Sequence, residues 1–182
     1  AIIGFEALLR WQHATLGFLS PALFIPILEK NDRIQAVTDW IIECVCQQIN
    51  KWDLDGLQYE HISINIPGNY LTSPHLIEVL DDTIKRYHIS PEKLELEITE
   101  TSFVKDLEKA MRSVELLREQ GFAVALDDFG TGLSSLSYLK RMPISTLKID
   151  KSFVDDVPVS SKDSAILQGI IALGESLNLN VV

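Results

Sequence analysis

Short apolar runs of strand length alternate with longer stretches of helical spacing along the 182 residues. The first run, 2–10, predicts a strand. Ser20 then offers an N-cap, with Pro21 at the first helical position, and opens a helix through Phe24, Ile25 and Leu28. Ile34, Val37, Ile41, Val45, Gln48 and Trp52 keep a mostly apolar helical spacing until Gly56 supplies a stop. The pattern repeats as a strand near 61–66, a helix through Ile77, Leu80, Ile84 and Tyr87, and a strand near 93–99 after Ser90 and Pro91. A helix carrying Leu107, Met111, Val114 and Leu117 stops at Gly121. Strands at 122–127 and 145–150 follow, separated by a glycine-rich loop and a short helix near 134–141. A helix near 162–177 and the stub Asn180, Val181, Val182 complete the chain.

Strand and helix in alternation predict parallel β/α units, and no linker composition interrupts 1–182, which reads as one domain. Charged or amide residues end these strands one after another: Glu6, Asn65, Glu97, Asp127 with Asp128, and Lys148 with Asp150. Parallel strands share a carboxyl edge, so these residues would converge there into an oxygen-rich site suited to a hard cation. An open doubly wound sheet would place one dominant ligand loop at a switch point, whereas functional residues at almost every strand end favour a barrel. About six or seven strands are expected where a closed barrel needs about eight, so the chain reads as truncated at both ends.

Composition adds limits. A hydrophobic content of 46% supports one sizeable core. A formal charge of −10, without clustered Lys and Arg, argues against a nucleic-acid polymer as partner. It does not exclude a small phosphorylated ligand, because a bound divalent cation inverts the local field. Cys44 and Cys46 lie two apart on a helix and would not pair, which fits a reducing compartment. With no membrane-length apolar run and no signal peptide, a cytoplasmic location is expected, including as the cytoplasmic part of a membrane-anchored parent.

The strongest local signal is Asp127, Asp128, Phe129, Gly130, Thr131, Gly132, Leu133, Ser134 and Ser135. Adjacent acids on a bending backbone can aim at neighbouring points and share one metal or two; an Asp N-cap before a glycine turn is the simpler alternative. On a strand 2–10, Glu6, Leu8 and Arg10 share one face, suiting a metal ligand beside a phosphate clamp, or else an internal salt bridge. Glu95 and Glu97 share the face opposite Leu94, Leu96 and Ile98, and Lys148 is the cation available to buried carboxylates. Trp40 and Trp52 read as core or helix-face packing. The acids Asp155 and Asp156, and the pair Lys162 and Asp163, read as loop or capping charges. His13, His61, His75 and His88 stand outside these motifs.

Taken together, Glu6-Ala7-Leu8, Leu9-Arg10-Trp11, Asn65, Glu97-Ile98-Thr99-Glu100, Asp127 to Gly132 and Leu147-Lys148-Ile149-Asp150 closely resemble the EAL-domain phosphodiesterases of cyclic di-GMP. The resemblance covers essentially the whole chain in the family's order. It implies an α/β, TIM-like (β/α)8 barrel of EAL type that hydrolyses cyclic di-GMP to linear pGpG with Mg2+ or Mn2+, as two ions in the active state. By motif, Glu6, Asn65, Glu97 and Asp127 would ligate a first metal, and Asp127 and Asp128 would face a second. Lys148 would hold or activate the attacking water, Arg10 and Leu8 would contact substrate, and Asp150 would organise the second-metal side. Glu100 would anchor the loop after Asp128, which couples metal binding to dimer contacts in this family.

The family continues beyond Val182 into an Ala-Glu-Gly-Val-Glu segment carrying a further metal ligand, and its opening Gln-Pro and closing Gln-Gly contacts also lie outside these residues. The resemblance further implies a homodimer and sensory or GGDEF-type domains in a longer parent. A catalytically inactive cyclic di-GMP sensor or protein-interaction module is the competing reading; such members commonly lose the first-motif Glu or the paired acids, and this chain keeps both.

Overall fold

The computed structural model describes residues 2–103, 106–131, 136–154 and 161–182. It divides into two compact units, Ala1–Leu94 and Glu95–Val182.

In the first unit, β1 (Gly4–Ala7) pairs in parallel with β4 (His61–Asn65), with Glu6 opposite Ser63. Between them run a hairpin of β2 (Trp11–His13) and β3 (Gly17–Leu19), then α1 (Pro21–Lys30) and α2 (Ile34–Leu54). The short α3 (Gly68–Leu71) and α4 (Pro74–Tyr87) follow. The strand expected over 2–10 is thus only four residues long, and the hairpin was not foreseen. Its three-residue strands are too short for a period-two pattern to reveal. They are set by a turn in which Gly17 takes φ 73° and His13 Nδ1 accepts the Thr15 and Leu16 amides, each at 3.2 Å.

The buried stripe of α2 is Ile34, Thr38, Ile42, Val45, Cys46 and Ile49, rotated from the expected Ile34, Val37, Ile41, Val45, Gln48 and Trp52. Both stripes obey helical spacing. The observed one tolerates Thr38 because its hydroxyl donates to Ile34 O at 2.8 Å, so no polar atom is stranded. Trp40 is exposed, correcting its reading as packing, whereas Trp52 packs tilted against Phe5 and edge-on against Tyr59, with ring centroids 4.9 and 5.6 Å apart. Helix α4 buries Leu76, Leu80, Thr83 and Ile84 and stops where His88 turns left-handed. Glu43 of α2 accepts from Arg86 and from Tyr87 Oη, the latter at 2.7 Å, tying the two helices.

The second unit takes β5 (Leu94–Thr99) from Glu95 onward, then β6 (Ala123–Phe129), β7 (Thr146–Ile149) and β8 (Asn180–Val181), hydrogen-bonded in that order and all parallel. Its helices are α5 (Leu107–Glu119), α6 (Leu136–Leu139) and α7 (Ser161–Ser176). Asp106 caps α5 by accepting the Lys109 amide at 3.1 Å. On β5, Leu96 and Ile98 bury one face, and Glu95 and Glu97 occupy the other. On β6, Val124 and Leu126 share one face while Ala123, Ala125 and Asp127 share the opposite one. Gly132, Leu133, Ser134, Ser135, Asp155 and Asp156 lie outside the described residues.

Candidate active site

In the first unit, the parallel pairing of β1 and β4 brings their carboxyl ends together, so Glu6 and Asn65 meet although they are far apart in sequence. Asn65 Nδ2 donates to Glu6 Oε1 at 3.1 Å, which leaves the amide oxygen as the donor Asn65 can offer a cation. Arg10 and Leu8 lie beyond the end of β1, so the expected shared strand face with Glu6 does not exist. Arg10 is exposed and its Nη1 donates to Leu9 O at 2.9 Å; Leu8 is exposed as well.

In the second unit, Glu97 is buried at 2% exposure, and Lys148 Nζ sits 2.7 Å from its Oε1 and 3.3 Å from Asp127 Oδ1. Three strands contribute this cluster. It assembles because Ala125 on β6 is small, which lets side chains from β5 and β7 approach over the middle strand. Thr146 Oγ1 likewise reaches Glu95 Oε1 at 2.7 Å, both groups being buried.

The paired acids owe their placement to a β-bulge. Leu126 is matched with Leu147, yet the next matched pair is Phe129 with Ile149, so Asp127 and Asp128 together oppose the single residue Lys148. Asp128 takes φ 55°, a conformation Asp tolerates better than most residues, and its side chain is exposed while that of Asp127 is largely covered. The turn is then closed by Thr131, whose amide and hydroxyl both donate to Asp128 O, the hydroxyl at 2.9 Å. Gly130 takes φ 101°, and a Cβ there would come within 2.4 Å of the Phe153 ring.

Glu100 is buried in a 3-10 turn, Glu100–Phe103, directly after β5. Asp150 caps the 3-10 turn Lys151–Phe153 by accepting the Ser152 hydroxyl and the Ser152 amide. Those two bonds, the hydroxyl first, hold its carboxyl below the ordinary carboxylate range. Sequence reading missed the role of Thr146; its position two residues before Lys148, on the same strand face, is the signal that would have found it.

The donors are carboxylate and amide oxygens, the hard ligands that a divalent cation such as Mg2+ or Mn2+ prefers, and in that sense they fit one. Among the described residues no group of three or more His, Cys, Asp or Glu is gathered as it would be around a bound ion. Lys148 stands between Glu97 and Asp127 instead.

A family model for the EAL domain matches residues 1–182. The chain belongs to the EAL domain family. It is 38% identical over 182 residues to the bifunctional diguanylate cyclase/cyclic di-GMP phosphodiesterase MucR of Pseudomonas aeruginosa, covering all of this chain and 26% of that protein. It is 37% identical over 177 residues to the cyclic di-GMP phosphodiesterase NbdA of the same organism, covering 97% of this chain and 23% of that one. The chain therefore spans about a quarter of the length of these curated relatives. A solved structure described as the PaMucR phosphodiesterase in complex with c-di-GMP superposes with a TM-score of 0.90 at 37% identity, over 97% of this chain and 71% of that one. The fold class is accordingly the α/β, TIM-like type of EAL domains. Among the described residues no helix of this EAL domain is long and apolar enough to cross a membrane.

Proposed function

We propose that this EAL domain hydrolyses cyclic di-GMP to linear pGpG in a divalent-metal-dependent reaction, as the catalytic part of a longer signalling protein. The observation that carries this reading is the cluster of buried Glu97 with the partly covered Lys148 and Asp127, at 2.7 and 3.3 Å, in a family whose relatives MucR and NbdA are named as cyclic di-GMP phosphodiesterases. The proposed ligands of the cations are Glu6, Asn65, Glu97, Asp127 and Asp128. Mg2+ or Mn2+ held there would supply charge neutralisation for the phosphodiester and acidify a water.

Lys148 is the proposed group that holds and orients the attacking water, with Glu97 and Asp127 fixing its amine. The water oxygen forms the new bond to phosphorus, the ester bond opposite it breaks, and the departing sugar oxygen ends protonated. Asn65 is neutral, which limits the negative charge that an anionic substrate meets. Arg10 and Leu8, exposed beyond β1, are the proposed substrate contacts; Asp150 and Glu100 support the loops that follow β7 and β6. A homodimer, as the resemblance implies, and a cytoplasmic setting accompany the proposal.

The test is chromatographic detection of pGpG from cyclic di-GMP with Mn2+, using full-length protein and its Glu6→Gln and Lys148→Met variants. Turnover that both substitutions abolish is the expected result. Tight binding without turnover would replace the phosphodiesterase with the sensor reading.

A further inference from the structure

Glu95 and Thr146 take no part in the proposed chemistry, yet both are buried and hydrogen-bonded to each other beneath the Lys148 cluster. Glu95 is 4% exposed and Thr146 6%, and the hydroxyl donates to Oε1 at 2.7 Å. Each lies two residues before a member of the cluster on the same strand face: Glu95 before Glu97 on β5, and Thr146 before Lys148 on β7. Two parallel rungs thus span β6, one between Glu95 and Thr146 and one between Glu97 and Lys148, over the side chain of Ala125.

The lower rung matters because of the bulge. The regular ladder between β6 and β7 is interrupted after Leu126 and Leu147 and resumes at Phe129 and Ile149, so Lys148 lies opposite two residues, Asp127 and Asp128, rather than one. On its other side β7 is paired with β8 only through Thr146 and Leu147, with Ile149 N donating to Val182 O at 2.7 Å beyond. The side-chain bond from Thr146 to Glu95 is therefore a tie across β6 immediately before the bulge that interrupts the backbone pairing.

We infer that Glu95 and Thr146 form a positioning pair that sets where the Lys148 amine stands against Glu97 and Asp127. The inference rests on the phosphodiesterase reading for its catalytic consequence, but its structural consequence stands alone. Thr146→Val keeps shape and removes the hydroxyl; Thr146→Ser keeps the hydroxyl.

The experiment uses full-length protein with both variants, Glu95→Ala, and the Glu95→Ala/Thr146→Val double variant. Two quantities are read: kcat and KM for cyclic di-GMP with Mn2+, and the acylation rate of Lys148 followed by peptide mass mapping. Thr146→Val should lower kcat about tenfold with KM little changed, because a small misplacement of a positioning group is felt at the barrier. It should speed Lys148 acylation roughly fivefold, the worth of about one hydrogen bond. Thr146→Ser should restore both, and the double variant should be no worse than either single one.

If the parent protein shows no turnover but Lys148 acylation rises in Thr146→Val and returns in Thr146→Ser, the positioning pair stands and the phosphodiesterase reading falls. An unchanged acylation rate in Thr146→Val, or an effect on thermal stability and KM alone, overturns the pair.

Discussion

Lys148 shows how a single residue links stability to chemistry. Its amine compensates the carboxylate of Glu97, a group too deeply buried to be solvated by water. Lys148→Met should therefore destabilise the fold by roughly 3 kcal/mol in urea titration and reduce turnover by about a thousandfold. Adding Glu97→Gln should recover most of the stability and none of the activity; full recovery of both would remove Lys148 from the chemistry. Cys46 behaves differently. Burial first, and then the nearby Glu43 carboxylate, push its thiol up to about 12. The folded state therefore keeps the thiol protonated where the unfolded chain, near its ordinary value of about 8.5, begins to ionise. Stability is unaffected by this group below pH ~8.5 and declines as the pH rises from there towards the folded value of about 12. Iodoacetamide at pH 8 should label the half-buried Cys44 well before Cys46, read by mass mapping.

At the scale of elements, β6 carries the arrangement: small residues on one face, a bulge at its end and a glycine beyond it. Gly130→Ala would require both an unfavourable positive φ and displacement of the Phe153 ring. It should cost roughly 2–3 kcal/mol, and adding Phe153→Ala should not restore stability, because the backbone strain remains. Calorimetry that shows Gly130→Ala unfolding with the wild type would contradict this account. Parallel β/α alternation was legible because β5 and β6 alternate large apolar residues with polar or small ones. The hairpin of β2 and β3 was not legible, since three-residue strands with exposed Trp11, Gln12 and Phe18 leave no periodic trace. The placement of Arg10 was misread for the same reason, by extending β1 through residues that leave the ladder after Ala7.

At the scale of the whole molecule, the net charge of −10 bears most directly on cations. Within the second unit the acids at the carboxyl ends of β5 and β6 carry like charge, as does Glu6 within the first, and a bound cation would offset that charge towards an anionic substrate. If the proposed ligand set is right, saturating Mn2+ should raise the melting temperature by about 5–10 °C, and chelation should reverse it. Glu6→Gln and Asp127→Asn should each weaken the dependence on Mn2+ concentration, measured by scanning fluorimetry. A melting temperature indifferent to Mn2+ would remove the cations from the proposal.

By itself, the sequence determined the order of the parallel strands and the longer helices, the helix stops at Gly56 and Gly121, and which residue types stand at the strand ends. These follow from local spacing and backbone preference. Only the tertiary structure decided that Asn65 donates to Glu6, that Lys148 lies between Glu97 and Asp127, and that Thr146 ties to Glu95. It also decided which stripe of α2 is buried. The physical reason is that register between strands depends on partners distant in the chain, and a bulge of one residue changes which side chains meet. A helix with two equally spaced apolar stripes shows which one is buried only when its neighbours are in place.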